Sequence, residues 1–125
     1  MAGEQILVVE DNARNMKLVR DVLGASGFRI LEAATGELAI ELAREHRPAL
    51  VLMDVQLRGI DGGAALDRLR RDARTSAIPV VALTAQAMSG DRERFLEAGF
   101  DGYLSKPIDI VELVNEVRRH CTSAA

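Results

Sequence analysis

The 125-residue chain alternates between short apolar runs and longer segments whose apolar residues recur at helical spacing. The apolar runs are residues 6–9, 28–31, 50–53, 78–83 and 102–104. The first, third and fourth runs are nearly continuous and rich in Val, Ile and Leu, which is typical of parallel strands covered on both faces. The second and fifth runs are more mixed, and we expect them at the edges of the sheet.

The segments between these runs predict five helices, each following a residue that can cap it. These residues are Asn12, Thr35, Asp61, Ser89 and Asp109, the last of which forms a capping box with Glu112. The apolar residues of the predicted helices, in order from the first helix to the fifth, are Met16, Val19, Val22 and Leu23; Leu38, Leu42 and Ala43; Leu66 and Leu69; Phe95 and Leu96; and Ile110, Leu113, Val114, Val117 and Cys121. Five repetitions of strand and helix predict a single α/β domain, a parallel sheet with helices on both faces.

Composition and charge narrow the classes of protein to which the chain can belong. Hydrophobic residues make up 48% and charged residues 28%, a balance typical of a globular domain. No apolar stretch approaches the roughly 20 residues of a membrane span, and the N-terminus lacks a signal-peptide pattern. The net charge is −3 and aromatic residues make up only 3%, which disfavours binding to DNA or single-stranded nucleic acid. We therefore expect a cytoplasmic protein with neither nucleic-acid nor membrane partners.

Polar side chains collect where the predicted strands end. Glu10 and Asp11 follow the first strand, Asp54 ends the third, Thr84 ends the fourth and Lys106 follows the fifth. Ligands of open α/β sheets bind beyond the carboxyl ends of the strands. Three carboxylates placed together repel one another, and a divalent cation such as Mg²⁺ relieves that repulsion. With a lysine and a hydroxyl beside them, they are suited to phosphoryl transfer.

Each of these residues also has an ordinary structural explanation. A strand-end aspartate often caps a helix, a Lys-Pro pair often forms a turn, and a lone threonine is commonly a hydrogen-bonded loop residue. The placement of such residues at four separate strand ends favours the functional interpretation.

The motifs at these strand ends resemble those of the receiver domain of two-component response regulators, the CheY-like family. The segments that carry the resemblance are residues 7–12, 52–54, 82–85 and 104–107. The resemblance spans residue 6 to about residue 119 and implies a single (βα)₅ flavodoxin-like domain with strand order 2-1-3-4-5. Two subgroups are most similar: the DivK-like stand-alone regulators of cell division and polarity, and the receiver modules of hybrid histidine kinases.

The resemblance implies a phosphoacceptor and a metal site. Asp54 is the expected acceptor of an acyl phosphate. Asp11 is expected to bind Mg²⁺ (or Mn²⁺) directly and Glu10 mainly through water. Asp54 also belongs to the ligand set, and Gln56 is expected to contribute its backbone carbonyl.

The resemblance also implies a phosphoryl-binding and switching group. Lys106 is expected to pair with the phosphoryl group, and the bond between Lys106 and Pro107 is expected to be cis. Thr84 is expected to hydrogen-bond a phosphoryl oxygen, with Tyr103 as the aromatic residue that changes rotamer.

The loop after the phosphoacceptor departs from the family pattern, which usually has a proline there. This chain has Leu-Arg-Gly-Ile-Asp-Gly-Gly at residues 57–63. Arg58 leaves φ unrestricted, and the glycines are expected to loosen the loop and the start of the third helix. Gln56 and Gln86 each lie two residues after a candidate site residue, so we expect them to flank attacking water and tune the phosphoryl lifetime.

Alternative functions are less consistent with the sequence. The pattern of haloacid-dehalogenase-type phosphatases includes a second Asp two residues after the nucleophile. This chain has Gln56 at that position, and a glutamine side chain cannot transfer protons. A receiver-like scaffold that is not phosphorylated typically lacks an acidic residue or the lysine, and this chain has both. His46 and His120 are expected to be solvated surface residues, and Cys121 a buried thiol without a disulfide partner.

The expected function is that of a stand-alone response regulator: a phosphorylation switch, not an enzyme. Residues 1–125 are expected to form one receiver domain, with a core of about residues 5–120 and no output domain. The expected phosphodonor is a histidine kinase or histidine phosphotransfer protein, and the process is cell-cycle, division or polarity control. A downstream protein is expected to bind the face formed by the fourth helix, fifth strand and fifth helix. A receiver module cut from a hybrid histidine kinase remains the alternative.

Overall fold

A five-stranded parallel sheet with helices on both faces forms the domain, as the sequence predicts. The computed structural model describes residues 3–55, 62–84 and 91–122. The strands are β1 (Gln5–Val9), β2 (Arg29–Ala33), β3 (Leu50–Asp54), β4 (Val80–Thr84) and β5 (Gly102–Ser105). The helices are α1 (Ala13–Ala25), α2 (Gly36–His46), α3 (Gly62–Arg71), α4 (Asp91–Ala98) and α5 (Ile110–Thr122). The strand order is β2-β1-β3-β4-β5, which confirms the predicted order and places β2 and β5 at the edges.

The sheet separates two hydrophobic cores, and the alternation of side chains along β1 shows how. Ile6 and Val8 pack with α1 and α5 on one face, whereas Leu7 and Val9 pack with α2 and α3 on the other. All four side chains are fully buried. A strand buried on both faces has no polar position, which explains the continuous apolar run in the sequence.

Side-chain caps fix the start of three helices. The Asn12 Oδ1 atom accepts hydrogen bonds from the N–H groups of Arg14 and Asn15, at 3.0 and 3.1 Å. The Thr35 Oγ1 atom accepts one from Leu38, and Asp109 Oδ1 accepts one from Glu112, both at 3.1 Å. These three predicted caps are confirmed, whereas the predicted cap residues of α3 and α4 lie outside the described residues.

Three residues assigned to the apolar helix faces are solvent-exposed, and that part of the prediction is wrong. The side chains are Leu38 (39% exposed), Leu96 (42%) and Ile110 (52%). In α2 the buried face consists mainly of Gly36, Ala39, Ile40 and Ala43. In α5, Ile110 is the first residue of the helix and lies one turn before Leu113, which is fully buried. Helical spacing therefore identified these helices but not the edges of their buried faces.

Gly62 packs α3 closely against the end of β3. A Cβ atom at this position would lie 2.7 Å from both the Asp54 carbonyl oxygen and the Val55 Cα atom. The Gly62 N–H also donates a hydrogen bond to the Val55 carbonyl, at 3.3 Å. The expectation that glycine loosens the start of the third helix is therefore wrong at Gly62, where the missing side chain permits a close backbone contact.

None of the helices, over the residues that the structure describes, combines the length and apolar character needed to cross a membrane.

Candidate functional site

The parallel register of the sheet brings the polar strand-end residues to one edge. Asp54 pairs with Leu83 across β3 and β4, and Thr84 pairs with Ser105 across β4 and β5. Glu10 follows β1 directly, and its N–H donates to the Ala33 carbonyl at 3.0 Å. The sequence therefore predicts correctly that these side chains lie together at the carboxyl-terminal end of the sheet, because parallel strands end at the same side of a sheet.

Lys106 connects two buried carboxylates. Its Nζ atom lies 2.8 Å from Asp54 Oδ2 and 2.7 Å from Glu10 Oε1. The Glu10 side chain is fully buried, and those of Asp54 and Lys106 are only 6% and 16% exposed. The three groups therefore form an ionic cluster in which one ammonium faces two carboxylates, leaving an excess of negative charge.

Burial and mutual repulsion change the acidity of this cluster. Burial raises the pKa of the Glu10 carboxyl, and the neighbouring Asp54 raises it further. Lys106 and the Asn12 N–H, which donates to Glu10 Oε2 at 3.1 Å, act in the opposite direction. Burial alone would lower the pKa of Lys106, but the hydrogen bond to Asp54 and the contact with Glu10 outweigh it and raise that pKa.

The acidic side chains fit the ligand preferences of a hard divalent cation. One carboxylate oxygen from each of Glu10, Asp11 and Asp54 lies within 4.8 Å of the others. Glu10 Oε1 is buried, and Lys106 Nζ is its ion-pair partner at 2.7 Å. Two buried carboxylates beside an exposed one, with a single ammonium to balance them, suit Mg²⁺, which prefers carboxylates together with water.

Thr84 and Lys106 are also joined through the backbone. The Lys106 N–H donates to the Thr84 carbonyl at 2.7 Å, and the Thr84 residue is only 3% exposed. The peptide bond between Lys106 and Pro107 is cis. The end of β4 is therefore hydrogen-bonded directly to the residue that carries the ammonium group.

Tyr103 lies one step further from the site and contacts α4. It pairs with Ala82 across β4 and β5, and its ring centroid lies 5.9 Å from that of Phe95 at an interplanar angle of 32°. Phe95 in turn makes an edge-to-face contact with Phe100, at 5.8 Å. The helical spacing predicts Phe95 on the core face of α4. Periodicity cannot show its contact with Tyr103, because the two residues belong to different elements.

Some predicted residues lie outside the described part of the chain. Gln56, Arg58 and Gln86 fall in residues 56–61 and 85–90, so the expected metal-binding carbonyl and the two expected lifetime-tuning side chains remain predictions.

The histidine and cysteine expectations have separate outcomes. His46 is exposed, as predicted. His120 is not a solvated residue: its side chain is 14% exposed, and its Nε2 atom lies 3.1 Å from Glu116 Oε2. The four-residue spacing of Glu116 and His120 on α5 was the available sequence signal. Cys121 is buried as predicted, and burial raises the pKa of its thiol.

Gly62 positions α3 beside the site, a role that the sequence does not predict. Its contact with the Asp54 carbonyl fixes the distance between α3 and the end of β3. The available signal was a glycine at the predicted helix start, where a residue with a side chain is usual.

The sequence is similar to proteins of known family over nearly its whole length. Residues 6–118 match the response regulator receiver domain. The polar-differentiation response regulator DivK of Brucella anthropi is 41% identical over 121 residues, which cover 97% of this chain and 98% of the relative. DivK of Brucella ovis is 40% identical over the same share of each chain.

Solved structures agree with the sequence comparison. A response regulator from Chloroflexus aurantiacus has a TM-score of 0.90 and 32% identity, covering 96% of this chain and 98% of that one. The receiver domain of the Pseudomonas aeruginosa sensor histidine kinase PA1611, which has a magnesium ion in its active-site cleft, has a TM-score of 0.88 and 37% identity. That alignment covers 97% of this chain and 99% of the PA1611 domain. The chain therefore belongs to the response regulator receiver domain family, in which it is DivK-like.

Proposed function

We propose that this protein is a phosphoacceptor response regulator of a two-component or phosphorelay system, with Asp54 as the acceptor. The observation that carries the proposal is the contact of Lys106 Nζ with Asp54 Oδ2 at 2.8 Å, beside the clustered carboxylates of Glu10 and Asp11. A buried aspartate paired with one lysine and bordered by two more acids is an unusual arrangement for stability alone, because several charges are desolvated together.

The proposed reaction is transfer of a phosphoryl group from a phosphohistidine. An oxygen of the Asp54 carboxylate attacks phosphorus, the N–P bond breaks as the O–P bond forms, and the electron pair of the broken bond stays on the imidazole nitrogen. Lys106 then neutralises charge on the phosphoryl oxygens, and the Thr84 hydroxyl donates to one of them. Glu10, Asp11, Asp54 and the Gln56 carbonyl are the proposed ligands of Mg²⁺ or Mn²⁺, which supplies further charge neutralisation when bound.

In this proposal the protein acts as a switch, and its only reactions are the gain and loss of its own phosphoryl group. It accepts a phosphoryl group, including from small donors, and loses it again by hydrolysis. Gln56 and Gln86 are proposed to tune that loss, since amide side chains can orient water but cannot act as a general acid or base.

The proposed phosphodonor is a histidine kinase or histidine phosphotransfer protein, and the proposed output is a change in affinity for a downstream protein. We assign the downstream contact to the face formed by α4, β5 and α5, where Tyr103 and Phe95 link the sheet to α4. The similarity to the polar-differentiation response regulator DivK supports a role in cell polarity, carried out by the receiver domain that residues 6–118 match. The similarity to the PA1611 receiver domain supports the second candidate, a receiver module of a hybrid kinase.

The proposal is tested by incubating the protein with acetyl phosphate and Mg²⁺ and measuring its intact mass. We expect one added phosphoryl group in the wild type and in Asp21→Asn, an exposed α1 aspartate that serves as the control. We expect none in Asp54→Asn and none after Mg²⁺ is removed with EDTA. Equal labelling of Asp54→Asn, or labelling without Mg²⁺, would contradict the proposal.

A further inference from the structure

A shallow, solvent-open polar cavity lies at the C-terminal ends of α2 and α3. It has a volume of about 460 Å³ and is lined by Arg44, Arg68, Arg71, Asp72 and Ala73. Gly62, at the start of α3, contacts the Asp54 backbone, and the ten residues of α3 extend roughly 15 Å from there to Arg71. The cavity is therefore separate from the strand-end site.

Asp72 is already neutralised within this cavity. Its Oδ2 atom lies 2.7 Å from Arg44 Nε and 2.9 Å from Arg74 Nη2, and its Oδ1 atom accepts hydrogen bonds from the Arg74 N–H and Nε groups. One carboxylate is thus shared by two guanidinium groups. Asp72 therefore balances only one of these two arginines, Arg44 on the cavity wall and Arg74, which does not line the cavity.

The other two arginines of the lining, Arg68 and Arg71, have little negative charge beside them to balance theirs. Arg71 is paired with Asp67 at 3.0 Å, but its side chain is 78% exposed, so solvent weakens that pair. Arg68 has no ion-pair partner among the residues that the structure describes. Counting only the lining residues, three arginines and one aspartate give a net charge of +2, on a protein whose overall charge is −3.

We propose that this cavity binds a phosphate dianion, either inorganic phosphate or the phosphate monoester of a nucleotide. The charge of such a group near neutral pH, about −2, matches the net charge of the lining. Guanidinium groups also bind phosphate oxygens through paired N–H donors, which a lysine cluster could not reproduce. This inference does not depend on phosphorylation of Asp54.

A different explanation is that the arginines only stabilise the helices. Arg44, Arg68 and Arg71 occupy the last turns of α2 and α3, where a positive charge interacts favourably with the helix dipole. That explanation predicts an effect of substitution on thermal stability but no saturable binding of an anion.

The test is a titration of the ¹⁵N-labelled, Mg²⁺-free protein with inorganic phosphate, AMP and adenosine, followed by amide chemical shifts at low salt. We expect saturable shifts of Arg71, Asp72 and Ala73 with phosphate and AMP, and none with adenosine. Tighter binding of AMP than of phosphate would identify a nucleotide as the preferred carrier, and equal affinity would identify the free anion.

Arg68→Gln is expected to weaken binding about tenfold, because one guanidinium fork is lost. Arg118→Gln, which removes the same charge from the exposed face of α5, is expected to leave the affinity within twofold. The proposal is overturned by the absence of saturable shifts at residues 71–73, by shifts confined to Thr84 and Lys106, or by equal effects of the two variants. A lower melting temperature of Arg68→Gln with unchanged phosphate affinity would likewise overturn it, in favour of helix stabilisation alone.

Discussion

At the scale of single residues, Lys106 determines the charge balance of the strand-end site. It faces Glu10 and Asp54 at 2.7 and 2.8 Å, and all three side chains are largely shielded from solvent. Removing one member of a buried ion pair leaves a desolvated charge without compensation, which costs more than the pair itself contributes. The site is therefore sensitive to the lysine in a way that surface ion pairs are not.

Replacing this lysine gives the first prediction at this scale. We expect Lys106→Met to lower the free energy of unfolding at pH 7 by about 3 kcal/mol, measured by urea denaturation of the metal-free protein. Lys17→Met is the matched control, because Lys17 pairs with Asp21 at the same 2.8 Å but on an exposed surface. The control should change stability by less than about 1 kcal/mol. Equal losses in the two variants would contradict the buried ionic cluster.

The acidity of Glu10 gives a prediction about pH. Its pKa in the folded protein is raised above the ordinary value of 4.5, chiefly by burial and then by Asp54. The folded state therefore holds this proton more tightly than the unfolded chain. The resulting stabilisation is fully present below pH 4.5 and is lost as the pH rises through the folded pKa.

We therefore expect the unfolding free energy of the metal-free protein, measured by denaturation at increasing pH from pH 4, to decrease as Glu10 loses its proton. This decrease should be absent in Glu10→Gln. The glutamine keeps the shape of the side chain but does not titrate. An identical pH dependence in wild type and Glu10→Gln would show that Glu10 titrates at its ordinary pKa.

At the scale of secondary-structure elements, the site depends on how closely α3 approaches β3. Gly62 makes that approach possible, since a Cβ atom there would lie 2.7 Å from the Asp54 carbonyl oxygen and the Val55 Cα atom. Both contacts are with backbone, which cannot move aside as a flexible side chain can. A larger residue must therefore displace the start of the helix from the end of the strand.

We expect Gly62→Ala to destabilise the protein by about 1–3 kcal/mol and to shift the amide resonances of Asp54 and Val55. Gly24→Ala is the control, because Gly24 lies in α1 and a Cβ atom there would meet nothing within 4 Å. The control should be neutral or stabilising by up to about 1 kcal/mol. Similar stability changes of the same sign in both variants would contradict the close-packing role of Gly62.

The sequence predicts elements more reliably than it predicts the contacts between them. Apolar runs and caps locate the strands and helices because both are local features, as Asn12 and Thr35 illustrate. The charged residues of the site could be grouped because parallel strands end together. The exposure of Ile110 and the close contact of Gly62 could not be predicted, since both depend on where a neighbouring element lies in space.

At the scale of the whole molecule, the site and the α4-β5-α5 face are connected through β4 and β5. Thr84 ends β4 and accepts the Lys106 N–H, and Tyr103 on β5 packs against Phe95 of α4. If Asp54 is phosphorylated as proposed, we expect a displacement of Thr84 toward the phosphoryl group to change the space beside β5 that an aromatic ring can occupy. We expect Tyr103 and α4 to respond together.

This coupling can be followed through the only tyrosine of the chain. Fluorotyrosine incorporation should give one ¹⁹F resonance, and we expect it to shift when beryllofluoride and Mg²⁺ occupy the Asp54 site. Thr84→Ala should reduce the shift while Mg²⁺ binding persists, and Thr84→Ser, which keeps the hydroxyl, should retain it. An unchanged wild-type resonance at demonstrated beryllofluoride occupancy would show that Tyr103 does not take part in the switch.

If Asp54 carries the phosphoryl group, the acyl phosphate can be located at that residue in the chain. The protein is phosphorylated by a phosphohistidine donor with Mg²⁺ and reduced with borohydride, which converts a phosphorylated aspartate to homoserine, and its peptides are sequenced by mass spectrometry. We expect homoserine at position 54 and unmodified residues at positions 10 and 11. Homoserine at position 11, or a phosphorylated protein with an unmodified Asp54, would contradict this expectation.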